Sequence, residues 1–181
     1  MLIANHSGHY HFLKGSDPYS SVVVADPGYE IIFVTLRDAP PWRRGFDFVD
    51  THLKAEGRDR AALCSVQLRC PRPYPIDGFI AFNDQYCKVL ADWDLLRDGL
   101  NPVARTNVSP DYAPPTEPLM HAFAYTMPAA VTNQPPSLVI SGAGALRDGV
   151  LAAEGVVRRG GTSPAAMREK AAYVLQAHVV S

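Results

Sequence analysis

The chain has few cysteines, no excess of either charge and no long apolar run, and each shortage removes a class of function. Cys64, Cys70 and Cys87 are its three cysteines, an odd number without a CxxC spacing. That argues against a disulfide-stapled scaffold or a CxxC zinc site and fits free thiols in a reducing compartment. Basic and acidic residues nearly cancel, 17 against 18, for a formal charge of −1. No long-range field therefore draws the chain to nucleic acid or to an anionic membrane. No apolar run approaches the roughly 18 residues of a membrane span. The N-terminus lacks a basic segment leading into an apolar one, so no leader is expected and a cytoplasmic location is. His6, His9 and His11 have no cysteine or acidic cluster near them in sequence, so residues 1–17 read as a polar surface segment rather than a metal site.

What is present suffices for a core: 47% of the residues are hydrophobic, enough for one domain, or one domain and a fragment. Residues 21–25 carry three successive valines and 30–36 read EIIFVTL, two strands joined by the turn Asp26-Pro27-Gly28; together they predict a hairpin. Phe46, Val49 and Leu53 recur at helical spacing over 45–56, which predicts a helix packed on a sheet. Residues 61–70 alternate, with Cys64, Val66, Leu68 and Cys70 on one side, so Cys64 is expected in the core rather than as a nucleophile. Phe79, Phe82, Tyr86 and Trp93 mark a second helix over 77–96, with Asp77 as its cap and Asn83 one position beyond the apolar stripe. Gly142-Ala143-Gly144 follows a strand at 137–141 but no helix follows at once, so a dinucleotide fingerprint is rejected, a tight turn is expected, and no cofactor is implied. A short strand is expected at 150–153. Ser163-Pro164 opens a last helix, with Met167, Ala171, Val174, Leu175 and His178 on its apolar side.

The stretch 102–125 organises the rest. A strand carrying Arg105 among small and apolar neighbours runs into a proline-rich loop, and a second strand returns with His121. A guanidinium in such a place needs a partner, since burying it unpaired costs several kcal/mol. The planar fork suits a carboxylate. Arg105 is thus the candidate anchor for a small carboxylate ligand, with His121 expected beside it.

The order strand, strand, helix, strand, helix, strand, strand over 18–126 resembles the RidA (YjgF) family of enamine/imine deaminases. Pro18-Tyr19-Ser20, Phe79…Asn83…Tyr86, Ala104-Arg105-Thr106-Asn107-Val108 and Met120-His121-Ala122-Phe123-Ala124 carry the likeness. Leu138-Val139-Ile140-Ser141-Gly142 and the helix over 163–179 resemble the family's first half again. The resemblance implies an α+β fold, a RidA/chorismate-mutase-like sheet with two helices packed on one face. It divides the chain into a module over 1–127 and a partial second module over 128–181. It also implies a homotrimer with ligand clefts between subunits, Arg105 holding a substrate carboxylate, and Tyr19, Asn83 and Asn107 as cleft residues. His121 stands where the family has the glutamate that positions water, and Asn107 where it has a cysteine. Leu36-Arg37-Asp38 replaces an expected Ser-Gly turn.

Two functions follow from the resemblance. One is hydrolytic deamination of a small enamine or imine acid, of the 2-imino acid or 2-aminomuconate type, with neutral His121 accepting a proton near pH 7. The alternative is a catalytically degenerate module that binds a small carboxylate or serves structure alone. Nucleic-acid cleavage, attached to some family members, has no basic stripe to support it here.

Overall fold

The structure, a computed structural model, describes residues 2–15, 20–131, 135–147 and 153–180, with 153 and 177–180 described without their side chains. Eleven named elements follow in order among them: β1 (Leu2–Asn5), β2 (Tyr10–Lys14), β3 (Ser20–Ala25), β4 (Tyr29–Thr35), α1 (Trp42–Ala55), β5 (Leu63–Arg69), α2 (Ile76–Asp92), β6 (Ala104–Val108), β7 (Leu119–Pro128), β8 (Leu138–Ile140) and α3 (Pro164–Val180). The fold is α+β. One sheet has the order β4-β7-β5-β6 and the other β1-β2-β3-β8.

Both α1 and α2 pack on one face of the first sheet. Trp42, Phe46, Val49 and Leu53 of α1 and Phe82, Tyr86 and Leu90 of α2 meet Val66, Leu68, Met120 and Phe123 in the main core. Of these, Phe46, Val49, Leu53, Phe82, Tyr86, Val66 and Leu68 are positions that helical spacing and strand alternation predict. α1 begins at Trp42, three residues earlier than expected, and Gly45 lets it come down on β7, where a Cβ would lie 2.6 Å from Met120 Cβ. Pro75, not Asp77, takes the N-cap position of α2; Asp77 falls in the first turn, where a carboxylate still favours the helix dipole. The helix ends before Asp94, which adopts a positive φ of 56°.

The opposite face of that sheet receives the second sheet over part of its length. Tyr10, Phe12 and Val23 cover Cys64, Ala104 and Ala124. Residues 1–17 are therefore not all surface: β1 and β2 lie within them, and Tyr10 and Phe12 are fully buried. His9 caps a short 3-10 turn with φ 57° and stacks on Tyr29 at 4.0 Å, while His11 Nδ1 lies 2.6 Å from Asp26 Oδ1.

Three expectations change. β3 and β4 are joined by the turn at 26–28 but are not a hairpin, because β3 pairs with β2 and β8 whereas β4 pairs with β7. Cys64 is buried, but on the other side of the sheet from Val66, Leu68 and Cys70. The β5–β7 register slips between Leu63 and Ser65, and a one-residue bulge reverses the alternation. Ser163 caps α3 as predicted, accepting from the Ala166 amide, yet Met167 and Leu175 are 53% and 65% exposed; the side of α3 that meets the protein carries Ala166 instead. The short strand expected at 150–153 falls mainly outside the described residues.

β8 joins the second sheet through β3, with Val23 opposite Val139. Just beyond it, Ser141 and Gly142 fasten to β6. The Arg105 amide donates to Ser141 Oγ at 3.3 Å, Ser141 Oγ donates to the Ser20 carbonyl at 2.7 Å, and the Gly142 amide donates to the Arg105 carbonyl at 3.0 Å. A side chain at Gly142 would put a Cβ 2.9 Å from Thr106 Cγ2 and 3.2 Å from Thr106 Cα. Here glycine is required by contact rather than by its own dihedral angles.

Candidate functional site

Arg105 stands on β6, opposite Val66 of β5 in a parallel register. Val66 faces α2, so Arg105 does too. Four α2 residues at spacings of three and four meet it: Phe79, Phe82, Asn83 and Tyr86. Arg105 Nη2 donates to Asn83 Oδ1 at 2.6 Å. The guanidinium lies 4.5 Å from the Tyr86 ring centroid, 5.6 Å from Phe82 and 5.9 Å from Phe79. Ring faces attract a cation most when water is excluded, and Arg105 is only 9% exposed. Asn83, one position past the apolar stripe, is thus turned to the arginine rather than to solvent.

The polar lining continues around it. Asn107 lies two residues along β6, opposite Leu68 and hence on the same face. Both of its side-chain amide atoms, and the Tyr86 hydroxyl, are buried without a hydrogen-bond partner among the described residues. Such groups are uncommon, because losing water without a replacement costs about 1–3 kcal/mol each. Cys70 and Tyr74 lie at the end of β5. Burial pushes the Cys70 thiol up, against the opposing pull of a hydrogen bond from Tyr74 and the nearby Arg105 charge. Burial, then the neighbouring Cys70, pushes Tyr74 up to about 12, so its phenol stays a neutral donor. Its ring stacks on Phe82 with centroids 5.3 Å apart. Cys70 and Tyr74 were not singled out as site residues from sequence, because a proline-rich turn gives no periodicity that would aim them.

His121 is on the other side of the sheet. Leu68 pairs with Met120 and Gln67 with Ala122, leaving His121 as the extra residue of a β7 bulge. Met120 and Phe123 face the helices, which turns both His121 and Ala122 to the opposite face. Arg69 pairs with Leu119 and shares that face, making it a diagonal neighbour of His121. Desolvation and then the Arg69 charge hold the His121 imidazole below its ordinary value. The chain therefore brings Arg105, Asn83 and Asn107 together and places His121 two strands away on the reverse face. Tyr19 lies outside the described residues. A cleft of about 400 Å³ by the β3–β4 turn and another of about 620 Å³ between β4 and α1 include neither Arg105 nor His121.

Among the described residues no helix is long and apolar enough to cross a membrane, and no cluster of three or more His, Cys, Asp or Glu side chains could hold a metal.

Over residues 2–179 the chain matches the family described as 2-aminomuconate deaminase CnbZ. It is 39% identical over 170 residues to a 2-amino-5-chloromuconate deaminase of Comamonas testosteroni, covering 93% of this chain and 68% of that protein. Among solved structures it is similar to a YjgF-family protein of Neisseria meningitidis, at 14% identity and a TM-score of 0.29, over 76% of this chain and 99% of that one.

Proposed function

The chain belongs to the 2-aminomuconate deaminase CnbZ family, and on that premise we propose that it is a hydrolase removing ammonia from a small enamine or imine acid of the 2-aminomuconate type. The reaction consumes one water. The enamine becomes its imine tautomer, water adds to the carbon bearing nitrogen, and ammonia leaves a 2-keto acid. Arg105 holds a substrate carboxylate, oriented by Asn83, with Asn107 and the Tyr86 hydroxyl supplying the remaining hydrogen bonds. Neutral His121 takes a proton from the attacking water and returns it to the departing nitrogen.

The observation that carries this reading is the Arg105 setting: a guanidinium fixed by Asn83 Oδ1 at 2.6 Å, among three rings, beside polar groups with unused hydrogen-bonding capacity. Because Arg105 and His121 face opposite sides of one sheet, the site needs two copies, Arg105 from one and His121 from its neighbour. A homotrimer with clefts between subunits supplies that pairing. Cys64 and Cys70 form no disulfide among the described residues, which suits the reducing cytoplasm as its location.

The test is to supply freshly generated 2-aminomuconate and follow ammonia. Arg105→Ala and His121→Ala should each lower kcat/KM by about 100-fold or more. A wild-type rate equal to that of buffer, or an Arg105→Ala rate equal to wild type, would end the proposal. The alternative, a non-catalytic carboxylate binder, is favoured by the separation of Arg105 from His121 within one chain. It is what remains if keto acids and dicarboxylates raise the melting temperature without turnover.

A further inference from the structure

The face of the main sheet turned away from the helices is covered by β1–β3 only at one end. At the other end Phe33 is 50% exposed, and Thr35, Gln67, Arg69 and His121 share its side. Arg69 stands out there. It is half-buried, and no carboxylate pairs with it among the described residues.

Its neighbour is not a compensating anion but an imidazole. With Arg69 opposite Leu119, and His121 two residues further along β7, the pair are diagonal neighbours across a strand boundary, roughly 7–8 Å apart at the backbone. An arginine side chain spans that gap easily. A partly desolvated guanidinium beside a group it discourages from protonating has no internal reason to stay there. An incoming carboxylate would satisfy Arg69 without disturbing the neutral imidazole.

We propose that Arg69 is a second carboxylate anchor, holding the end of a dicarboxylate substrate that lies beside His121, while Arg105 of the neighbouring copy holds the other end. This rests on the deaminase reading for the identity of the substrate. It adds a specificity residue to that reading: selection for two carboxylates rather than one. Phe33 and Gln67 on the same face give the planar carbon chain an apolar and a polar wall.

The test separates this inference from the reaction. cis,cis-Muconate has both carboxylates and no amine, and sorbate has the same six carbons and one carboxylate. Their affinities are measured by calorimetry, and the His121 ring proton is followed by NMR during each titration. Wild type should bind muconate about tenfold or more tighter than sorbate and shift the His121 signal. Arg69→Gln should lose that preference and Arg69→Lys should keep part of it, with both variants melting as wild type does. In turnover, Arg69→Gln should raise KM for 2-aminomuconate about tenfold with kcat far less affected. A muconate preference that survives Arg69→Gln, or no preference in wild type, overturns the proposal. Arg69-dependent muconate binding without ammonia release upholds it and removes the deaminase reading instead. Ammonia release with an unchanged KM in Arg69→Gln does the reverse.

Discussion

Replacing Tyr86 by phenylalanine removes one oxygen and leaves the ring that faces Arg105. The Tyr86 side chain is fully buried, its hydroxyl has no partner among the described residues, and burial pushes its pKa well above the usual phenol range. An unsatisfied buried hydroxyl costs about 1–3 kcal/mol, so its removal should stabilise the ligand-free protein by about 1 kcal/mol. For a chain of this length that raises Tm by about 2–4 °C. The cation–ring contact at 4.5 Å survives, because phenylalanine presents a similar face. Ligand affinity should move the other way, about tenfold weaker, if the hydroxyl reaches the bound carboxylate. Thermal unfolding with and without muconate reads both effects in one instrument. A Tm that falls by more than 1–2 °C in the ligand-free variant would show that the hydroxyl is already satisfied, and the argument for a polar site at this spot would fail.

Gly142→Ala should cost about 1–3 kcal/mol in urea unfolding, since the new methyl meets Thr106 Cγ2 at 2.9 Å and the β6 backbone close behind it; unchanged stability would mean that the tail moves aside freely. Asp50 is held down to about 2, chiefly by its hydrogen bonds from Arg60 and Lys54. A depressed carboxylate contributes stability above its unfolded pKa of about 3.8 that is lost as pH falls toward 2, so Asp50→Asn should flatten that part of the acid-unfolding curve, and an unaltered curve would refute the assignment. The His121 imidazole is depressed by burial and then by Arg69, so its stabilising contribution is complete above pH about 6.5 and declines as pH falls below it. If it is the base, the acid limb of kcat/KM lies below pH 6.5; a limb above that value, or one that persists in His121→Gln, would show that another group titrates.

Helical periodicity made the α2 cluster legible, because Phe82 and Tyr86 fall on its buried stripe, Phe79 continues that stripe to the surface at 38% exposure, and Asn83 is then set beside it. Arg105 was legible from its neighbours, since an arginine between small residues in a strand must be answered by something. The face occupied by His121 was not. Strand alternation assigns it only if the strand is regular, and the bulge between the Leu68 and Gln67 rows turns two successive residues the same way. The same cause misplaced Cys64. The β3–β4 hairpin failed for a different reason: Asp26-Pro27-Gly28 specifies a reversal of direction, but which strands then pair depends on β7 and β8, some hundred residues further on. At 1–17 the histidines masked the alternation of Tyr10 and Phe12, which only becomes a core signal once there is a second sheet to bury them.

Both backbone hydrogen-bonding groups of Arg105 end on residues that come after β8, its amide on Ser141 and its carbonyl on Gly142. A protein cut back to end shortly after β7 would retain the aromatic bed and the Asn83 contact, yet the strand carrying the arginine would have a bare outer border. The setting of Arg105 is in that sense underwritten from a distance, and shortening the polypeptide would loosen that setting before it unfolded the body.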